Sequence, residues 1–208
     1  MKINKCLIQA ALAPLFFMLS TGIGAAADDG RLRVVMLGDS LTFGGNWASA
    51  LPEYHMINLG VSGDTTRNIL ARLDQVTQAA PNMIFLQAGV NDLAGGRGPE
   101  QIMEGHRRIW HKLAETLPSA QLSVISLFPV DGTRYLGFNG KIKEVNRQMQ
   151  KMAKEEGLLF IDLYPALTDQ DGNLRPDFTF DGLHLQASAY GQWVAAIRPA
   201  LANAALDH

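Results

Sequence analysis

Short apolar runs alternating with amphipathic stretches constrain this chain more than any other feature, because that alternation is the pattern of βα units around a parallel sheet. Strands are expected over residues 32–37, 55–59, 83–88, 121–127 and 158–162. Helices are expected over 47–51, 66–80, 99–117, 140–156 and 186–202. Pro99 suits the first turn of its helix, and Gly157 suits the position just past the end of another. Five strands with covering helices make one three-layer α/β/α domain. The pattern alone does not order the strands. No internal repeat, low-complexity tract or linker divides residues 28–208.

The expected strands run into loops rich in glycine and polar residues. The first ends in Gly38-Asp39-Ser40-Leu41-Thr42, the second in Gly60-Val61-Ser62-Gly63-Asp64, and the third in Gly89-Val90-Asn91-Asp92. In an open parallel sheet, loops at the carboxyl ends of the strands converge on one crevice, which would make Ser40, Gly60 and Asn91 neighbours. Near the end of the chain stands Asp181-Gly182-Leu183-His184. Nucleophilic attack by a serine needs a base to take its proton and an acceptor to hold that base in one tautomer. Ser40, His184 and Asp181 fit these three roles. A glycine N–H and an asparagine amide can serve a developing oxyanion. Asp39 and Asp92 compete for the acid role, and we read them instead as residues that fix their own loops.

On these four blocks the chain resembles the SGNH, or GDSL-type, serine esterase/lipase superfamily, and the resemblance spans essentially all of residues 28–208. It implies a flavodoxin-like sheet of order 2-1-3-4-5. It implies Ser40 as nucleophile, His184 as base and Asp181 as its support. The oxyanion donors it implies are the Ser40 and Gly60 N–H groups and the Asn91 side chain. The Gly-x-Ser-x-Gly pattern of α/β-hydrolases does not fit, because Asp39 and Leu41 flank Ser40 and Thr42 occupies the outer position.

Residues 1–27 read as a secretory signal peptide. Lys2 and Lys5 come first, an apolar stretch over 7–19 follows, and Gly24-Ala25-Ala26-Ala27 precedes Asp28. The apolar stretch falls short of the roughly 20 residues that a membrane span needs. The expectation is an exported protein, periplasmic or secreted, without stable membrane insertion once the leader is removed. The single cysteine, Cys6, lies in that leader, so the remainder holds no thiol nucleophile, disulfide or cysteine metal site. Without the leader, 16 basic residues stand against 20 acidic ones, which disfavours nucleic acid as a partner.

The remaining residues with chemistry are placed as follows. Arg134, Tyr135 and Phe138, in the irregular stretch over 128–139, are candidates either to contact a leaving group or to pack that loop down. The stretch Asp169-Gln170-Asp171-Gly172-Asn173 lacks the spacing and final Glu of a calcium loop, so it reads as a solvated turn. His106 and His111, five apart on one helix, do not share a face and read as surface residues. The chemistry needs no metal or organic cofactor.

For substrate, the second block, the segment over 128–135 and the ending over 177–185 are more similar to the platelet-activating-factor-acetylhydrolase-like and sialate O-acetylesterase-like members than to plant lipases. With no lid insertion, that similarity implies short acyl groups, acetyl above all, on small-molecule or glycan esters. A thioesterase/lysophospholipase of broader chain range, a glycan O-acetyltransferase and an inactive glycan-binding module are the alternatives.

Overall fold

The computed structural model describes residues 30–206, and the signal-peptide expectation over 1–27 lies outside them. The segment Arg31–His208 is one compact unit. Its elements run β1 Arg33–Gly38, α1 Ser40–Phe43, α2 Trp47–Ala50, β2 His55–Gly60, α3 Thr66–Ala71, α4 Leu73–Ala79, β3 Met83–Gln87, α5 Val90–Ala94, α6 Pro99–Thr116, β4 Gln121–Ile125, α7 Phe138–Glu156, β5 Leu159–Ile161, α8 Tyr164–Leu167, a 3₁₀ turn Pro176–Phe178 and α9 Ala187–Leu206.

The five strands form one parallel sheet of order β2-β1-β3-β4-β5. Parallel strands joined by right-handed crossovers put helices on both faces. Accordingly α3, α4, α6 and α7 pack together on one side, while α1 and α2 adjoin β2 on the other, where the rings of α2 and α9 meet. Inner strands β1 and β3 are buried on both faces, which is why Val34 to Leu37 and Met83 to Leu86 are continuous apolar runs. Edge strands β2 and β5 are half exposed.

Register matters more to function than the core does. Gly38 of β1 pairs with Gly60 of β2 on one side and with Gln87 of β3 on the other. The three strand ends are therefore level, and the loops carrying Ser40, Gly60 and Asn91 leave from one line. At Gly60 a side chain is excluded for steric reasons, because an added Cβ would run into the backbone of Thr42 and Phe43 in α1.

The helix expected over 66–80 is two helices broken at Arg72, and the strand expected over 121–127 ends at Ile125. Beyond it, the Ser126 N–H still donates to the Ile161 carbonyl of β5 at 3.0 Å, while its hydroxyl accepts from the Leu163 N–H at 2.9 Å and fixes the turn after β5. Helix α7 begins at Phe138, two residues earlier than expected, so Phe138 is a helical residue and not part of the loop.

His106 is a correction. It is fully buried, not on the surface: Ile102, Met103, Gly105, His106, Ile109, Trp110 and Leu113 make up the inward stripe of α6. Burial pulls its pKa down to about 4, so the ring is neutral and its Nε2–H donates to the Ala88 carbonyl at 3.0 Å. His111 is exposed beside Glu156, as expected.

Candidate active site

Ser40 is the first residue of α1, so its N–H has no acceptor within the helix. Asp39 caps that helix, its Oδ1 accepting from the Leu41 N–H at 2.9 Å. Two aromatic donors hold the helix from behind. The Tyr190 hydroxyl donates to the Leu41 carbonyl at 2.8 Å, and Trp47 Nε1–H donates to the Thr42 carbonyl at 2.9 Å.

His184 reaches Ser40 from the far end of the chain, with Nε2 at 3.2 Å from the Ser40 Oγ. Its Nδ1 lies 2.7 Å from Asp181 Oδ2. A carboxylate only accepts, so Nδ1 carries the hydrogen and Nε2 is left to accept from the serine hydroxyl. The other Asp181 oxygen accepts from the N–H groups of Leu183 and His184 at 3.0 and 2.8 Å. Partial burial pushes the Asp181 carboxyl up, but the His184 ring and these two N–H donors outweigh it and hold the group at about 2. Asp181, not Asp39 or Asp92, therefore faces His184 as an ionised acceptor.

The segment carrying His184 is tied down by Thr179, which nothing in the sequence marked, and by Arg134. Thr179 Oγ1 donates to the His184 carbonyl at 2.7 Å and accepts from the Gly182 N–H at 2.9 Å. Arg134 Nη1 donates to the Asp181 carbonyl at 2.8 Å. Of the two roles weighed for Arg134, the structure thus gives it a hold on the Asp181 backbone. Tyr135 and Phe138 are partly buried, their rings 5.9 Å apart, and pack against the core. Both sets of partners lie far away in sequence or act through backbone groups, so local pattern carries no trace of them.

Gly60 is the last residue of β2, and Asn91 is the second residue of α5, just past the end of β3. In the resting structure the Gly60 N–H donates to Asn58 Oδ1 at 2.9 Å, and one Asn91 amide N–H donates to the Asp64 carbonyl at 3.0 Å. An incoming oxyanion would compete with Asn58 for the first donor and take the second N–H of the other. Asp92 is buried and accepts from the Thr66 N–H and hydroxyl at 2.9 and 2.8 Å and from Arg97 Nη1 at 3.1 Å, so besides its own loop it holds the start of α3, 26 residues away. Asp169 accepts from the N–H groups of Asp171 and Asn173, so that stretch is a self-bonded turn. Among the described residues, no group of three or more His, Cys, Asp or Glu side chains could hold a metal ion.

Comparison with known proteins agrees with this geometry. The model of the GDSL-like lipase/acylhydrolase family matches residues 36–192. The chain is 27% identical to platelet-activating factor acetylhydrolase IB subunit alpha1 of Bos taurus over 80% of its own length and 73% of the relative's. It is 28% identical to an arylesterase of Vibrio mimicus, covering 87% of the chain and 90% of that protein. Among solved structures, the lipase/acylhydrolase from Enterococcus faecalis superposes with a TM-score of 0.72 at 25% identity, over 83% and 96% of the two chains. With the family model covering all four blocks from β1 into α9, the chain belongs to the GDSL-like lipase/acylhydrolase family and is a serine ester hydrolase.

Proposed function

We propose that Ser40, His184 and Asp181 act as the catalytic triad of an exported esterase that removes short acyl groups, acetyl in the first place, from carbohydrate esters. His184 Nε2 takes the Ser40 proton as Oγ attacks the ester carbonyl, and Asp181 stabilises the imidazolium that forms. The carbonyl oxygen becomes an oxyanion that accepts from the Ser40 and Gly60 N–H groups and the Asn91 amide. His184 then gives its proton to the departing alcohol oxygen, leaving an acyl-serine. A water molecule, deprotonated by His184, attacks the acyl carbon, and Ser40 leaves reprotonated with a free carboxylic acid as product.

The observation that carries this reading is the chain of contacts from Ser40 Oγ through the imidazole to the Asp181 carboxylate, at 3.2 and 2.7 Å. The His184 side chain is 41% exposed, which leaves room for a bulky alcohol; the small acyl group rests on the resemblance. The carbohydrate rests on the resemblance of the loop blocks, and export rests on the leader pattern over 1–27.

A second reading has its own support. Phe43 at the end of α1, Val61 just past β2 and Phe180 beside Asp181 are exposed, and the Phe180 ring lies nearly parallel to that of His184 with centroids 6.2 Å apart. Such a rim suits esters of longer acyl chains, the class of the thioesterase/lysophospholipase alternative.

A chain-length series of p-nitrophenyl esters from acetate to palmitate separates the two, assayed with the purified protein and its Ser40→Ala variant side by side. Turnover peaking at acetate supports the first reading and a peak at longer chains the second. In Ser40→Ala the rate should fall by about 10⁴ or more with the fold intact. A folded, fully active Ser40→Ala protein would remove the triad assignment.

A further inference from the structure

Nothing in the sequence marks Arg72, yet the helix expected over 66–80 breaks there, with φ −123° and ψ 23° outside the helical region. From that break its guanidinium reaches under the crevice. Nη2 donates to the Leu59 carbonyl at 2.9 Å and to the Gly38 carbonyl at 3.1 Å, and Nε donates to the Asp64 carboxylate at 2.7 Å. The side chains of Arg72 and Asp64 are only 12% and 11% exposed, so water competes little for these bonds.

Each acceptor lies one short step from a group around the oxyanion. The Leu59 carbonyl and the Gly60 N–H are the two ends of one planar trans peptide, so fixing the direction of the first fixes the second in the opposite direction. The Gly38 carbonyl also accepts from the Val61 N–H at 3.0 Å, which binds the end of β1 to the chain leaving β2. Asp64, held through its carboxylate, offers its own carbonyl to the Asn91 amide at 3.0 Å. That bond orients the amide and leaves its other N–H for the substrate.

We propose that Arg72 is the positioning residue of the oxyanion hole, one guanidinium aiming the Gly60 N–H through the Leu59 carbonyl and the Asn91 amide through Asp64. The proposal rests on the reading of Gly60 and Asn91 as oxyanion donors given above, and Arg72 itself does not touch the reacting atoms. Its planar fork of donors can serve a carboxylate and two carbonyls at once, whereas a lysine presents a single point of charge that cannot hold all three in place.

The test is steady-state kinetics on p-nitrophenyl acetate together with inhibition by a boronic acid. The proteins are the native chain, Arg72→Lys, Arg72→Met, Asp64→Asn, Asn91→Ala and the double variant Arg72→Lys with Asn91→Ala. A boronic acid bonds to the serine Oγ and places a charged tetrahedral oxygen where the oxyanion forms, so its affinity reports the hole while KM reports ground-state binding. Removing an oxyanion donor outright costs 10²–10³ in kcat, and misaiming two should cost about 10–100-fold in Arg72→Lys. KM should stay within about two-fold while boronate inhibition weakens in step with kcat. The double variant should lose far less than the product of the single losses, because both changes disable the same hole.

A folded Arg72→Lys protein with native kcat would overturn the proposal, as would a kcat loss that leaves boronate inhibition untouched and multiplies with Asn91→Ala. Should neither Arg72 variant fold, Asp64→Asn decides. It releases the guanidinium at nearly constant volume and should lower kcat about 10-fold at constant KM, and native turnover would overturn the assignment. Native turnover in Asn91→Ala would instead bring down the oxyanion reading itself, a result distinguishable from the failure of Arg72 alone.

Discussion

Asp39, between Gly38 and Ser40, is fully buried, and its two carboxylate oxygens are served unequally. Oδ1 caps α1 through the Leu41 N–H, whereas Oδ2 has no partner among the described residues. Burial pushes the carboxyl up to about 7; the Leu41 N–H opposes this, Asp64 and Asp92 add to it, and His184 subtracts. The unfolded chain releases this proton near the ordinary carboxylate value of 3.8, so between about pH 4 and 7 the folded state binds more protons than the unfolded one. Stability must therefore fall as pH rises through that window and level off above it. Asp39→Asn keeps the capping acceptor and has no proton to lose. In thermal denaturation at pH 4 to 8 the variant should lose less stability than the native protein, by about 1–3 kcal/mol at pH 8. Parallel curves would show that Asp39 carries no such cost. That Ser40, His184 and Asp181 would come together was legible because each sits in a short polar block, one at the end of β1 and two in one turn near the end of the chain. The burial of Asp39 and His106 was less so, although the i, i+3, i+4 stripe from Ile102 to Leu113 already points His106 inward. A histidine on such a stripe is polar enough to mask it, and its partner, the Ala88 carbonyl, lies 18 residues away.

At the level of elements, the loop between β4 and α7 is a clamp on the turn that carries Asp181 and His184. Asn139 holds Val130 at both its N–H and its carbonyl, at 2.9 and 2.8 Å. The loop then grips the turn twice, through the Asp131 N–H on the Gly182 carbonyl at 2.8 Å and through Arg134 on the Asp181 carbonyl. Gly182 has φ +88°, and an added Cβ would lie 2.6 Å from the Cβ of Asp131. Gly182→Ala should thus cost about 1–3 kcal/mol from backbone strain, with further cost as the clamp is pushed off. Because the displaced turn holds both Asp181 and His184, kcat should fall about 10-fold or more with little change in KM. Arg134→Ala removes one exposed hydrogen bond, so its melting temperature should move by less than about 2 °C and its kcat by a few-fold. Melting curves and p-nitrophenyl acetate kinetics on both variants check this ordering, and a Gly182→Ala protein as fast and stable as the native one would contradict the clamp. The longer strands and helices were readable from periodicity, but α1, α5 and α8, four or five residues each, are too short to show any. The break at Arg72 was hidden for another reason: its partners Gly38 and Leu59 lie 34 and 13 residues away.

Across the whole molecule, the catalytic distance depends on how the last helix packs against the first two. The apolar runs of β1 and β3 made the parallel class readable, whereas strand order came from the resemblance, since a crossover's destination leaves no local mark. What closes the molecule is an aromatic cluster joining residues more than a hundred positions apart. Trp193 of α9 is fully buried, with ring centroids 4.9 Å from Trp47 and 4.7 Å from Phe128, both near edge-on. Tyr190, one turn earlier, holds the Leu41 carbonyl, and Trp47 holds that of Thr42. The helix that presents Ser40 and the helix that follows His184 are thus mounted on the same rings. Trp193→Ala should cost about 3–5 kcal/mol for lost burial and the cavity left behind. At about 2–4 °C per kcal/mol for a domain of this size, that is a fall of roughly 6–20 °C in melting temperature. Well below the new melting point kcat should also be reduced, because both catalytic segments lose their common support. Tyr190→Phe separates the two effects: it keeps the ring and removes only the hydroxyl bond to Leu41, at a cost of about 0.5–1.5 kcal/mol. A Trp193→Ala protein that melts within about 2 °C of the native chain would mean that the cluster is not what joins the two halves of the site. One that melts much lower yet keeps native kcat would mean the cluster supports the fold without setting the Ser40 to His184 distance.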